Sequence, residues 1–360
     1  MGPDPAVAAV RLGVRRSLAG LTRPRGPVVQ APRTDPARAA QPAGAPGSAR
    51  LPDQALVLAA CSGGPDSLAM AAALAFEAPR LGLRAGAVTV DHGLQPGSAE
   101  QAARVAATLR KLGLEPVHGL RAEVVVRGEV SHYPGPEAAA RRARYAAIEA
   151  AAVECGATAV MLGHTMDDQA ETVLLGLARG SGARSLAGMS AVSGRYLRPL
   201  LGLRRAETRA ACSALGLAPW HDPQNADPAY ARTRVREHVL PLMEELLGPG
   251  ITEALARTAD QLRADAEALD SVADEVAERL VSGDEALEVA ALAALPGAIR
   301  TRLLKRAAIA AGVPAGSLSS SHIAQLDALV TAWHGQRWSD LPGGIRCLRR
   351  YGRLHFTTRS

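Results

Sequence analysis

Residues 61–67 read CSGGPDS and carry the clearest chemistry in the chain. Gly63 and Gly64 let backbone N–H groups approach an anion closely, and the start of the following helix adds the positive end of its dipole. Ser62 and Ser67 can donate hydroxyl hydrogen bonds to phosphate oxygens, and Pro65 stands between the glycines and the acid. Asp66 is the odd member. A carboxylate beside phosphate is repelled unless a cation intervenes, which makes it the candidate ligand for Mg2+. A Walker A loop needs a lysine in GK[ST], and no lysine stands here; the GxGxxG dinucleotide fingerprint is missing as well. Ser, Gly and Asp are also ordinary helix-capping residues, so SGG alone would mean only a capped helix.

Further groups of chemistry-bearing residues lie downstream. Asp91 and His92 close an apolar run, VTVDH, where a strand end would line a ligand crevice; a strand-end turn capped by Asp91 is the plainer alternative. Arg141 and Arg144 stand three apart on one expected helix and can share a face, suited to a phosphate or a carboxylate, or simply to solvent. His164 follows another apolar run, and Asp167, Asp168 and Glu171 crowd the first turns of the helix after it. Acids favour helix N-termini, and Thr165 with Asp168 fits a capping box, so these residues have a structural explanation too. Arg179 precedes Gly180, Ser181 and Gly182, a flexible stretch able to meet an anion. Asp222 and Asn225 lie in a polar loop ahead of Arg232 and Arg236.

The elements that must position these residues alternate. Apolar runs at 55–60, 83–92, 115–126 and 157–164 are expected strands; the stretches after 64, at 97–113, 136–156 and 167–178 are expected helices. Apolar strands alternating with helices predict an α/β fold, a doubly wound parallel sheet, over 54–245. A short amphipathic N-terminal helix is expected over 1–22, interrupted by Arg11, Arg15 and Arg16 and so unlike a secretory signal. Residues 23–53, rich in Pro, Gly, Ala and Arg, are an expected flexible linker. Beyond Gly250 the pattern predicts a long amphipathic helix to Leu280, then a short strand and two helices over 286–334, and two strands around a Pro-Gly-Gly turn over 337–356. That makes 250–360 a smaller α+β C-terminal domain.

Composition narrows the class. With 48% hydrophobic and 21% charged residues the chain is of globular type, and no stretch approaches the roughly 18–20 apolar residues of a membrane span. The four cysteines are far apart with no CxxC pair, which argues against a zinc ribbon, an iron–sulfur site or a dithiol and for a reduced, cytoplasmic protein. The net charge of +6 is compatible with a polyanionic partner without requiring one.

Taken in order, these motifs resemble a known family. SGGPDS resembles the PP-loop of the ATP pyrophosphatases. VDHGL (90–94), ARRARY (140–145), GHTMDDQAET (163–172) with RGSG (179–182), RPLLGLRRAETR (198–209), an RPLL element before a helix, and the D-x-x-N…R-x-x-x-R pattern of Asp222, Asn225, Arg232 and Arg236 resemble the lysidine synthases within that superfamily. Two positions depart from the pattern: Thr165 stands where a second histidine is usual, and Thr233 where an asparagine is. The resemblance implies ATP as co-substrate with Mg2+, held by Ser62, Gly63, Gly64, Pro65, Asp66, Ser67, Asp91, His92 and His164. It implies catalytic roles for Asp66, Asp167, Asp168 and Arg141, and substrate contacts from Arg144, Glu171, Arg179, Arg232 and Arg236. The implied partners are a tRNA(Ile) with a CAU anticodon and free L-lysine, with no membrane; a homodimer is left open. The C-terminal domain is the expected tRNA-binding part, with Arg346, Arg349, Arg350 and Arg353 near Trp338 and Tyr351, although arginines guarding a sheet edge would look the same. A PP-loop tRNA thiolase and a non-catalytic nucleotide-binding protein are the alternatives.

Overall fold

The computed structural model describes residues 2–22, 54–91, 93, 97–121, 136–180, 182–220, 222, 227–280 and 287–358. The expectations for the 23–53 linker, for His92, for Ser181 and for Asn225 fall outside these residues. The chain divides into two compact units, 1–171 with 189–253, and 172–188 with 254–360.

The first unit is built on a six-stranded sheet. Helix α1 (Pro5–Thr22) comes first, followed by β1 (Leu56–Ala60), α2 (Pro65–Glu77), β2 (Arg84–Asp91), α3 (Ser98–Lys111), β3 (Val117–Arg121), α4 (Pro136–Glu154), β4 (Ala159–Leu162) and α5 (Met166–Ala178), which passes into the second unit from Thr172 on. The short helix α6 (Ala183–Leu186) belongs to the second unit, and β5 (Val192–Ser193), β6 (Tyr196–Leu197), α7 (Arg205–Ala214), α8 (Ala231–Arg234) and α9 (Leu240–Leu247) complete the first. The strand order is β3-β2-β1-β4-β6-β5, with β1 parallel to both β2 and β4. The chain therefore leaves β1 in one direction toward β2 and returns on its other side at β4. Loops that diverge in this way open a crevice at the strand C-termini.

Alternation along the strands explains why both faces are covered. Val57 and Ala59 of β1 join Ala159 and Met161 of β4 in a core with Leu68, Leu74, Val14 and Leu18. Leu56, Leu58, Val160 and Leu162 face the other way, against Ile148 and Ala152 of α4. Successive side chains of a strand point to opposite faces, so continuous apolar strands need helices on each. Helix α1 takes part in the first core through Val7, Val10, Val14 and Leu18, spaced three and four apart, while Arg15 forms a two-point ion pair with Glu77 at 2.8 and 2.9 Å.

The sheet departs from the expected parallel arrangement at one edge, where β5 pairs antiparallel with β6. Each of these strands is two residues long, too short to show an alternating pattern.

The second unit contains most of α10 (Ile251–Leu280), then β7 (Leu287–Glu288), α11 (Val289–Ala293), α12 (Gly297–Ala310), α13 (Ser320–Thr331), β8 (Ser339–Leu341), β9 (Ile345–Arg350) and β10 (Arg353–Thr358). Its antiparallel sheet runs β7-β10-β9-β8 around a core that includes Leu304, Leu326, Cys347 and Leu354. Three α-helices, not two, occupy 287–331, the extra one being the five-residue α11. Three strands, not two, occupy 339–358. The Pro-Gly-Gly turn joins β8 to β9, and a second reversal at Tyr351 and Gly352, both at positive φ, joins β9 to β10. Such a two-residue hairpin loop with paired positive φ angles suits the twist of its strands, and Tyr-Gly is a less conspicuous form of it than Asn-Gly.

Candidate functional site

The loop between β1 and α2 is shaped by its glycines. Gly63 has φ +87°, and a Cβ there would meet Val105 Cγ2 at 2.5 Å. Ser67, largely buried, staples the turn: its hydroxyl donates to the Gly64 carbonyl at 3.0 Å and accepts from the Ser62 amide at 3.2 Å. Its proton is thus engaged within the loop, which leaves Ser62 as the freer hydroxyl of the two. Pro65 opens α2, where a missing N–H costs nothing.

The second loop, after β4, closes against the first. A Cβ on Gly163 would stand 3.0 Å from the Ser67 amide nitrogen and Cα, so the absence of a side chain lets this segment run alongside the turn. His164 follows. Its Nδ1 is buried and has no hydrogen-bond partner, and burial, opposed by Asp168, pushes the imidazole down to about 4. At neutral pH it is an uncharged ring.

Helix α5 carries the acids. Asp168 accepts hydrogen bonds from the Thr165 amide at 2.8 Å and the Thr165 hydroxyl at 3.0 Å. This is half of the anticipated capping box, because the threonine hydroxyl donates to the carboxylate instead of capping an amide. Burial works against the ionised form of Asp168, but Arg205 and Arg232 outweigh it and hold the carboxyl below its ordinary value. Glu171 is fully buried beneath three guanidiniums: Arg232 at 2.6 Å, Arg236 at 2.7 and 3.0 Å, and Arg205 at 3.2 Å. Arg236 lies in a π-helical turn, Val235–Val239, between α8 and α9. The wider turn alters the angle between successive side chains, a distortion frequent at functional sites.

Asp66 projects from the first turn of α2. Its carboxylate accepts from the Thr208 hydroxyl, and the Arg205 guanidinium lies 3.6 Å away. Burial raises its carboxyl above the ordinary value against the pull of both partners. Arg205 therefore touches the phosphate-loop acid, Asp168 (3.0 Å) and Glu171 at once.

These groups meet around one cavity of about 430 Å³ in the first unit. Its lining includes Ser62, Gly64, Pro65, Asp66, Ser67, Arg144, His164, Asp168 and Arg236 from the sequence expectations. Asp222 of the polar loop lines it as well. The remaining described residues of the expected site lie outside the lining. Gly63 shapes the loop from behind. Glu171 and Arg232 form the ion-paired layer described above. Asp167 turns to α7, accepting from the Arg205 amide at 2.7 Å. Arg141 is exposed and sits over the Tyr145 ring, 5.0 Å from its centroid. Asp91 accepts from the Gly93 amide at 2.8 Å. Arg179 is exposed and belongs to the second unit.

Several lining residues carry no role in the sequence expectations: Tyr145, Arg205 and Arg209, which stand inside the quoted motifs, and Trp220, with Thr208 beside them. Arg205 and Arg209 are four apart on α7, the spacing of one helix face, which is the signal that could have found them. Trp220 had no periodic context; only its rarity, in a chain with 3% aromatic residues, marked it.

The donor set is compatible with Mg2+. Asp66 and Asp168 both line the cavity, and this ion typically takes one or two carboxylates together with substrate phosphates. Among the described residues no helix is long and apolar enough to cross a membrane.

Residues 39–243 match the family described as a PP-loop domain, and residues 287–355 match the TilS substrate binding domain. The chain is 56% identical over 353 residues to a tRNA(Ile)-lysidine synthase of Thermobifida fusca, covering 98% of both. It is 54% identical to one of Streptomyces coelicolor, over 98% of this chain and 99% of that one. Among solved structures, the U34-tRNA thiolase NcsA of Methanococcus maripaludis, with its [4Fe-4S] cluster, superposes with a TM-score of 0.52 at 18% identity, covering 71% of this chain and 79% of the other. That likeness extends to the fold alone.

Proposed function

Because this chain belongs to the tRNA(Ile)-lysidine synthase family, we infer that it joins lysine to C2 of the wobble cytidine in the CAU anticodon of tRNA(Ile), converting ATP to AMP and pyrophosphate. The observation that carries this reading is the shared cavity: the phosphate loop, a neutral histidine, an ionised aspartate and several guanidiniums line one space. Those are the parts an adenylation followed by an amine attack requires.

In the first step the cytosine O2 attacks the α-phosphorus, and the bond to pyrophosphate breaks. The loop glycines and Ser62 cradle the departing phosphates, and Arg144, Arg209 and Arg236 offset their charge. Mg2+, held by Asp66 with Asp168 close by, would supply further charge neutralisation there. Arg205 keeps Asp66 and Asp168 in fixed relation to each other. The unpaired Nδ1 of His164 offers a hydrogen bond to ATP or to the base at no cost in protonation, since the ring is neutral.

In the second step the lysine ε-amine attacks C2, loses a proton, and AMP leaves. Asp168 suits the lysine ammonium because it is ionised and lines the cavity. Glu171 does not reach the cavity; it holds Arg232 and Arg236 in place. Sulfur delivery finds little to work with: the described cysteines are four free thiols, with Cys61, Cys212 and Cys347 buried. The enzyme acts on tRNA in the cytoplasm in this reading, as one copy or as a homodimer.

Purified protein with ATP, Mg2+, radiolabelled lysine and unmodified tRNA carrying CAU tests the assignment. ATP-dependent transfer of label to the RNA is expected. ATP turnover without transfer, or no turnover, would overturn it.

A further inference from the structure

The protein has three tryptophans, and two of them are satisfied in the same way. Trp333 lies under the Arg349 guanidinium at 4.7 Å and donates its indole N–H to the Gln336 carbonyl at 3.2 Å. Trp338 lies under Arg346 at 4.6 Å and donates to Asp340 at 3.3 Å. Trp220 differs. Among the described residues its indole has no ring, no guanidinium and no hydrogen-bond partner, yet it is only partly exposed and lines the cavity. Its backbone is anchored: the Trp220 amide donates to the Gly63 carbonyl of the phosphate loop at 2.9 Å.

Among the described residues the other six-membered aromatic ring of the lining is engaged. Tyr145 packs edge-on against Tyr196 at 5.5 Å and is covered by Arg141. The apolar lining from the strands and α4, Val88, Val90, Leu162 and Ile148, already offers an adenine ring a surface to lie against. The reaction needs room for a second ring. The cytosine must leave its stack and bring O2 to the α-phosphate, hence beside the phosphate loop, and bases displaced from single-stranded RNA are characteristically received on aromatic faces.

We propose that the Trp220 indole is the stacking platform for the target cytosine, held at the phosphate loop by its backbone bond to Gly63. This rests on the lysidine-forming reading above. The tether gives the platform a second consequence: a base stacked on Trp220 is positioned by the same loop that holds the phosphates. Nucleophile and electrophile are then aligned by one rigid turn, the arrangement that lowers the entropic part of a two-substrate barrier.

The test uses the full chain with Trp333→Phe and Trp338→Phe, so that Trp220 is the sole indole emitter. An anticodon stem-loop carrying CAU should quench its emission; the same stem-loop abasic at the wobble position should quench much less, and a non-hydrolysable ATP analogue alone should leave it unchanged. Quenching by the ATP analogue would assign Trp220 to adenine, and equal quenching by the two RNAs would remove the stacking contact; either result overturns the proposal. Should the double variant fail to fold, Trp220→Leu in the otherwise native chain gives the second measurement. The KM for tRNA should rise about 5- to 150-fold, the range of stacking losses on truncating an aromatic, with the KM for ATP within about twofold. An unchanged KM for tRNA while the wild type still transfers lysine overturns this inference alone. Failure of the wild type itself to transfer lysine would overturn the reading beneath it.

Discussion

The Arg236 guanidinium meets the Glu171 carboxylate at 2.7 and 3.0 Å in a two-point pair whose acidic member is fully buried. Arg232 and Arg205 complete the surround, so a single carboxylate from α5 organises three cations from α7 and the 231–239 segment. Replacing it by Glu171→Gln leaves the three guanidiniums crowded around Asp168 as their one shared counter-charge. Breaking a buried pair by removing one partner typically costs about 3–5 kcal/mol. A lower denaturation midpoint and loss of lysine transfer are expected; full activity with unchanged stability would refute the organising role.

Thr208→Val tests the hold on Asp66. The hydroxyl is that carboxylate's hydrogen-bond donor across the junction of α2 and α7. Without it Asp66 keeps its charge partner Arg205 but loses its orientation. Pyrophosphate release should slow by about tenfold, the scale of one hydrogen bond to a charged group, while Asp66→Ala should abolish it. Equal rates in Thr208→Val and wild type would show that the contact has no catalytic weight.

Gly63→Ala challenges the loop twice, by positive φ and by collision with Val105. Backbone strain of this type costs roughly 1–3 kcal/mol. We expect weaker ATP binding by calorimetry, with only partial recovery in Gly63→Ala/Val105→Ala, because the second change relieves the collision and not the backbone angle. Complete recovery would mean that the angle is immaterial.

His164 makes stability depend on pH in a defined direction. Its folded value, about 4, lies below its ordinary value of 6.5. Between these values the unfolded chain binds the proton and the folded chain does not, so this contribution is intact above pH 6.5, declines as pH falls, and levels off below about 4. The limiting loss is about 3 kcal/mol. His164→Gln should flatten that part of the stability profile measured by urea titration; an identical profile in the variant would show that another group is responsible.

Helix α1 lies before the matched PP-loop segment, yet Leu18 is fully buried in the main core. Leu18→Ala should cost about 2–5 kcal/mol, as buried leucines do. A change below 0.5 kcal/mol on this scale would mean that the helix is an appendage.

Much of this organisation is local and so was open to reading from the chain. The apolar run before 61–67 and the glycines within it declare a strand, a tight turn and an anion site, because strand burial, positive φ and capping depend on residues a few positions apart. His164, Asp168 and the acidic opening of α5 were legible for the same reason. The hairpin at Tyr351–Gly352 and the two-residue strands β5 and β6 were not, since they show too little pattern to rise above their neighbours. What tertiary structure alone decided is the division of labour among the charges. Asp167, Asp168 and Glu171 are equivalent by type and nearly adjacent in sequence. Folding points one at α7, lines the cavity with the second, and buries the third under Arg205, Arg232 and Arg236. Arginines 34 to 65 positions away from Glu171 set that outcome. Interactions across such separations follow from where helices pack, and no local pattern encodes them.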